Sequence, residues 1–88
     1  MKDSTQQLAW ALNACRRLQL RLTPVREKVL AFLAAQRVPV SLAELMQAED
    51  LQGVCDATTA YRTVMLLCDA EVLRQVGLPD KVSLFVLN

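Results

Sequence analysis

The chain contains no histidine. That absence removes the commonest general base and the commonest metal ligand together. Cysteine is scarce: Cys15, Cys55 and Cys68 lie far apart, are odd in number and form no C-x-x-C pair. Neither a disulfide framework nor a thiolate metal site is expected from them. Cys15 and Cys68 fall at apolar helical positions and read as small buried hydrophobes. There is no glycine-rich phosphate loop and no nucleophile beside a base, and Glu49 and Asp50 are neighbours that point to different sides of a helix. An enzyme is not expected, nor a cofactor or a small-molecule substrate. No apolar run approaches membrane-spanning length and the start, MKDSTQQLAW, is too polar for a signal peptide. A reducing cytoplasm is the expected home, with no membrane partner.

What remains is one small domain. The 88 residues are 53% hydrophobic but only 5% aromatic, so aliphatic side chains must build the core. Ten Lys and Arg against nine Asp and Glu give a net charge of +1, too little for a global electrostatic case for nucleic acid. Local charge is less even. Arg16, Arg17, Arg21, Arg26 and Lys28 face only Glu27, whereas Glu44, Glu49, Asp50 and Asp56 cluster without a base. Such patches fit an oriented charged partner, and also ordinary solvated helix faces, the commoner meaning of mixed charge.

Four helices and a ribbon follow from pattern. Ser4 or Thr5 can cap a helix to about Leu20 with Leu8, Ala11, Leu12, Cys15 and Leu18 at helical spacing. Trp10 falls off that stripe, either as a partly buried edge residue or as an anchor for a partner. Thr23-Pro24 announces a second helix, with Val25, Val29, Phe32 and Leu33 on one face and an end near Gln36, ahead of Val38-Pro39. Ser41-Leu42-Ala43-Glu44 is a capping box opening a third, which points Leu42, Leu45 and Met46 inward and stops near Asp50; Gly53 frees the loop beyond. A fourth runs from about Ala57 to Ala70. Two β-prone runs, Val72 to Val76 and Val82 to Leu87, flank the turn residues Gly77 to Lys81 and make a hairpin. The expected fold is mainly α with a small antiparallel β-hairpin: a winged helix-turn-helix with an extra N-terminal helix.

The segment from Asp56 to Leu67, DATTAYRTVMLL, says most about function. Asp56 can accept hydrogen bonds from the first free backbone N–H groups, and Ala60, Val64 and Leu67 make an inward face. Thr58, Thr59, Tyr61 and Arg62 then occupy the first turns. Small hydroxyls, an aromatic and an arginine at the front of a short helix suit base edges in a major groove.

Arg21-Leu22-Thr23-Pro24-Val25-Arg26, with Val29-Leu30 after it and Ala57-Thr58-Thr59-Ala60-Tyr61-Arg62-Thr63 beyond, resembles the DNA-binding half of the ferric uptake regulator family, with its L-T-P-x-R and T-V-Y-R-T-L stretches. The two signals stand about thirty-five residues apart, and it is the pair, more than either alone, that is specific. The resemblance spans roughly Leu18 to Val86. It implies that Tyr61 packs against bases, that Arg62 meets base edges or phosphates, and that Thr59 is the small hydroxyl at the helix start. It implies that Arg21 reaches a minor groove and that Arg26 is either a phosphate contact or part of a structural ion pair. Double-stranded DNA is the implied partner.

The departures carry as much. Family members continue into a second domain that dimerises and holds metal. A single winged-helix domain over residues 1–88 is expected here without it, and pairing, as a homodimer or with another protein, would use helix one, the wing strand or the partner. A family histidine ahead of the third helix is Pro39, so metal sensing is not carried over. The family glycine after the recognition helix is Glu71, where a left-handed cap would be strained. Met65 stands where a basic residue is common, and Leu84 precedes Phe85 in the wing in place of one. These losses, with the acidic third helix, leave a second class of function open: a winged-helix protein-interaction module that no longer binds DNA.

Overall fold

A computed structural model describes residues 4–36, 38–77 and 83–88. The elements are α1 (Ser4–Arg17), α2 (Pro24–Ala35), β1 (Val40–Ser41), α3 (Leu42–Met46), a 3-10 turn (Glu49–Leu51), α4 (Ala57–Asp69), β2 (Leu73–Val76) and β3 (Leu84–Leu87). α2, α3 and α4 each begin where a cap residue stands. The Thr23 side chain accepts from the Arg26 N–H at 3.2 Å with Pro24 in the first turn. Ser41 and Glu44 form the reciprocal box, at 3.1 and 3.3 Å. Asp56 Oδ1 accepts from the Thr59 N–H at 2.8 Å.

The core is aliphatic apart from Phe85. Ala11 and Cys15 of α1, Val29, Leu30 and Leu33 of α2, Leu45 of α3, Leu51, Val64 and Leu67 of α4, and Val72, Leu73 and Phe85 are buried together. Cys15 is fully enclosed, and Cys68 and Trp10 pack against the cluster from its edge. α1 lies on α2, α3 lies against α4, and the sheet closes over α2 and α4. This is a helix-turn-helix with a wing and a helix in front.

Three elements differ from the sequence reading. The sheet has three strands, in the order β1-β3-β2, because Val40 and Ser41 pair antiparallel with Phe85 and Leu84. Two extended residues on the way into a helix cap carry no periodic signal of their own. α3 is only five residues long and does not reach Asp50. Leu45 and Leu51 are both buried, yet six residues apart they fall on different faces of a continuous helix. Breaking the helix at Ala48, which is extended, turns Leu51 inward and puts Glu49 and Asp50 on the 3-10 turn. The third difference is the end of α1, at Arg17 instead of Leu20, where Gln19 is left-handed at φ +59°. The Gln19 and Leu20 N–H groups then close back onto the Arg16 and Cys15 carbonyls at 3.0 and 2.9 Å, a Schellman closure.

α4 ends the same way. Glu71 sits at φ +65°, and the Glu71 and Val72 N–H groups donate to the Cys68 and Leu67 carbonyls, each at 3.0 Å. The left-handed cap foreseen as strained is therefore made with glutamate. It turns the chain so that Val72 and Leu73 enter the core directly after the helix. Asn88 holds the turn from outside, its Nδ2 donating to the Glu71 carbonyl at 2.6 Å and its N–H to the Val72 carbonyl at 3.1 Å. β2 and β3 pair from Leu73↔Leu87 to Val76↔Leu84, with Gln75 Nε2 donating to Ser83 Oγ at 2.7 Å. Of the turn expected over residues 77–81, all but Gly77 lies outside the described residues, as does the start of the last β-prone run at Val82.

A non-glycine residue in this conformation costs on the order of 1 kcal/mol. Glu71→Gly is therefore expected to stabilise the domain by about 1 kcal/mol, raising Tm by roughly 4–8 °C. Urea unfolding checks this, and a loss of stability would show that the Glu71 side chain supports the turn.

Candidate nucleic-acid interface

α4 is unevenly sunk into the body. From Asp56 to Arg62 every residue but Ala60 is exposed, and from Thr63 to Cys68 none is. The first two turns therefore stand out from the protein while the rest is held down by Ala60, Val64 and Leu67, all fully buried, with Thr63 almost so. Thr58, Thr59, Tyr61 and Arg62 come together on the protruding part. Tyr61 is 51% exposed. The Arg62 side chain makes no hydrogen bond to the protein among the described residues, and its charge is felt at Asp56.

The Asp56 cap sets the electrostatics of this end. The Thr59 hydrogen bonds, with a lesser contribution from Arg62, hold its carboxyl below the ordinary value of 3.8. Asp56 also offsets the Arg62 charge, so the protruding turns offer donors and an aromatic surface more than net positive charge.

Arg21 and Arg26 lie elsewhere, at the junction of α1 and α2. Arg21 is exposed, between the partly buried Leu20 and Leu22. Arg26 forms no ion pair among the described residues. Its Nη1 donates to the Arg21 carbonyl at 2.7 Å, which replaces the ion pair foreseen as one alternative and commits part of the guanidinium to the backbone. Nothing in the sequence pattern signals a contact from one residue to a carbonyl five positions earlier across a helix cap. No hydrogen bond joins this pair to the α4 residues among those described. Arg16 and Arg17 are also exposed, at the C-terminal end of α1, where cations suit the helix dipole; Arg16 Nη1 donates to Asn13 Oδ1 at 3.2 Å.

No protein-family model and no curated protein matches the sequence. Solved structures do match the fold. Apo XcZur superposes with a TM-score of 0.80 at 26% identity, over 99% of this chain and 59% of that one. The fold is the ferric uptake regulator winged helix. The Helicobacter pylori ferric uptake regulator Fur matches at a TM-score of 0.74 and 13% identity, over 98% of this chain, and a manganese uptake regulator at 0.75 and 20%, over 89%. This chain spans 58% of the length of each of those two regulators.

The H. pylori regulator is described as having three functional metal-binding sites. The donors here do not fit such a site. The chain has no histidine, and among the described residues no three of Cys, Asp and Glu stand close enough to hold an ion. Cys15 is sealed in the core, where burial pushes its thiol up in pKa. Among the described residues no helix is long and apolar enough to cross a membrane.

Because the Asp56 pKa is lower folded than unfolded, the stabilisation from this cap is full above about pH 4 and is lost as pH falls through the folded value. Asp56→Asn, itself a good cap, is expected to keep the neutral-pH Tm close to wild type and to flatten its acid-side decline. Asp56→Ala is expected to lower Tm at neutral pH. Thermal melts by circular dichroism from pH 2.5 to 7 check both; an unchanged acid limb in Asp56→Asn would contradict the assignment.

Proposed function

We propose that this protein binds double-stranded DNA in a sequence-specific manner as a transcriptional regulator, with the first turns of α4 in the major groove. The observation that carries this is the uneven burial of α4. A helix that protrudes by its first two turns, bearing Thr58, Thr59, Tyr61 and Arg62, has the shape and donor set that a major groove admits. Arg62 is the base-edge or phosphate contact, Tyr61 the apolar surface for a thymine methyl, and Thr58 and Thr59 short donors at the helix start. Arg21 contributes from the α1–α2 junction. The regulators that share the fold support a role in transcription rather than catalysis. Neither metal nor another cofactor takes part in this reading, and a homodimer over two half-sites would supply affinity that one small domain lacks.

A winged-helix protein-interaction module is the second reading. Arg26 commits a donor to the Arg21 carbonyl, and Leu18 and Val38 are 52% and 63% exposed. Salt separates the two, because phosphate contacts release counterions and protein contacts largely do not.

Fluorescence anisotropy on a labelled A·T-rich duplex is expected to show binding that weakens with salt, with a log–log slope of about −0.9 per phosphate contacted. Arg62→Ala is expected to weaken it at least roughly tenfold while the thermal melt stays unchanged. Unchanged affinity in that variant would sink the α4 assignment, and salt-independent partner binding without duplex binding would favour the interaction module.

A further inference from the structure

We propose that Arg26 is a positioning residue for Arg21: by holding the Arg21 carbonyl it fixes the α1–α2 junction so that the Arg21 side chain is presented outward to the nucleic acid. This rests on the DNA-binding reading above, and it assigns Arg26 a different part from a direct phosphate contact.

The junction runs from Leu18 to Thr23 and is restrained at almost every residue. Its start is closed by the left-handed Gln19 and the N–H groups of Gln19 and Leu20 on the end of α1. Leu20 and Leu22 pack against the core, and Thr23 caps α2. Leu20 and Leu22 are partly buried, and Arg21 between them is exposed to solvent. The peptide after Arg21 is then the point without a partner from the core. Arg26 supplies it. Its N–H donates to the Thr23 side chain and its Nη1 to the Arg21 carbonyl, so one residue ties the junction at two places. The bond to the Arg21 carbonyl is short, 2.7 Å, and charge-assisted, and it spans the surface of the segment.

A side chain that reads DNA from a fixed backbone loses less freedom on binding than one on a mobile loop. Removing Arg26 should therefore cost what Arg21 contributes and no more. Arg26→Met keeps the packed stem and removes the donor. Arg26→Gln, polar but too short to span the same gap, gives the same test should the first variant fail to fold. Duplex binding by anisotropy and 15N order parameters at Arg21 and Leu22 are the two measurements.

Arg21→Ala and Arg26→Met are each expected to weaken binding about three- to tenfold, and the double variant to be no weaker than either single one. The order parameters at Arg21 and Leu22 are expected to fall from about 0.85 toward 0.6 in Arg26→Met. Additive losses in the double variant, or unchanged order parameters, would overturn the proposal. A wild-type protein that binds no duplex would instead remove the functional reading beneath it, and the order parameters would then decide alone whether Arg26 fixes the junction.

Discussion

A helix of thirteen residues is marginal in water on its own, so α4 exists because of what its back face buries. Val64 and Leu67 are fully enclosed, and each contributes roughly 1.5–3 kcal/mol by leaving water. In a domain this small that is a large share of the whole. The rest of the molecule is arranged around that contact. α2 and α3 supply the wall, β2 follows α4 at once into the same core, and β3 seals it with Phe85.

The consequence is that the front of α4 is free. Apart from Ala60, Asp56 to Arg62 are held in helical form by the cap and by the turns behind them without being covered. Sequence-reading side chains need this combination, a rigid backbone with an open face. The C-terminal end is held equally firmly, at the cost of a strained glutamate. Glu71 adopts a conformation glycine takes freely, and the core burial of Val72 and Leu73 just beyond offsets the strain.

Much of this was legible in the sequence, for local reasons. Thr23-Pro24, the Ser41–Glu44 box and Asp56 mark helix starts through contacts within three residues, which a linear reading can see. Ala60, Val64 and Leu67 declare their face by spacing. The hidden features depend on tertiary contact. β1 is a strand only because β3 lies beside it, and α3 stops short because Leu51 is drawn into a core built from elsewhere. At the site, the exposure of Thr58, Thr59, Tyr61 and Arg62 followed from helical phase. Arg26 did not: whether an arginine reaches outward or folds back onto a carbonyl depends on how α1 ends, which the left-handed Gln19 decides.

The central claim is that the protruding turns of α4 meet DNA. Titrating 15N-labelled protein with an A·T-rich duplex and following the amide spectrum tests it most directly. The account predicts shifts concentrated at Thr58, Thr59, Tyr61 and Arg62, with a second, smaller group around Arg21. Shifts centred on the acidic face from Glu44 to Asp50, or none at high micromolar protein, would contradict it.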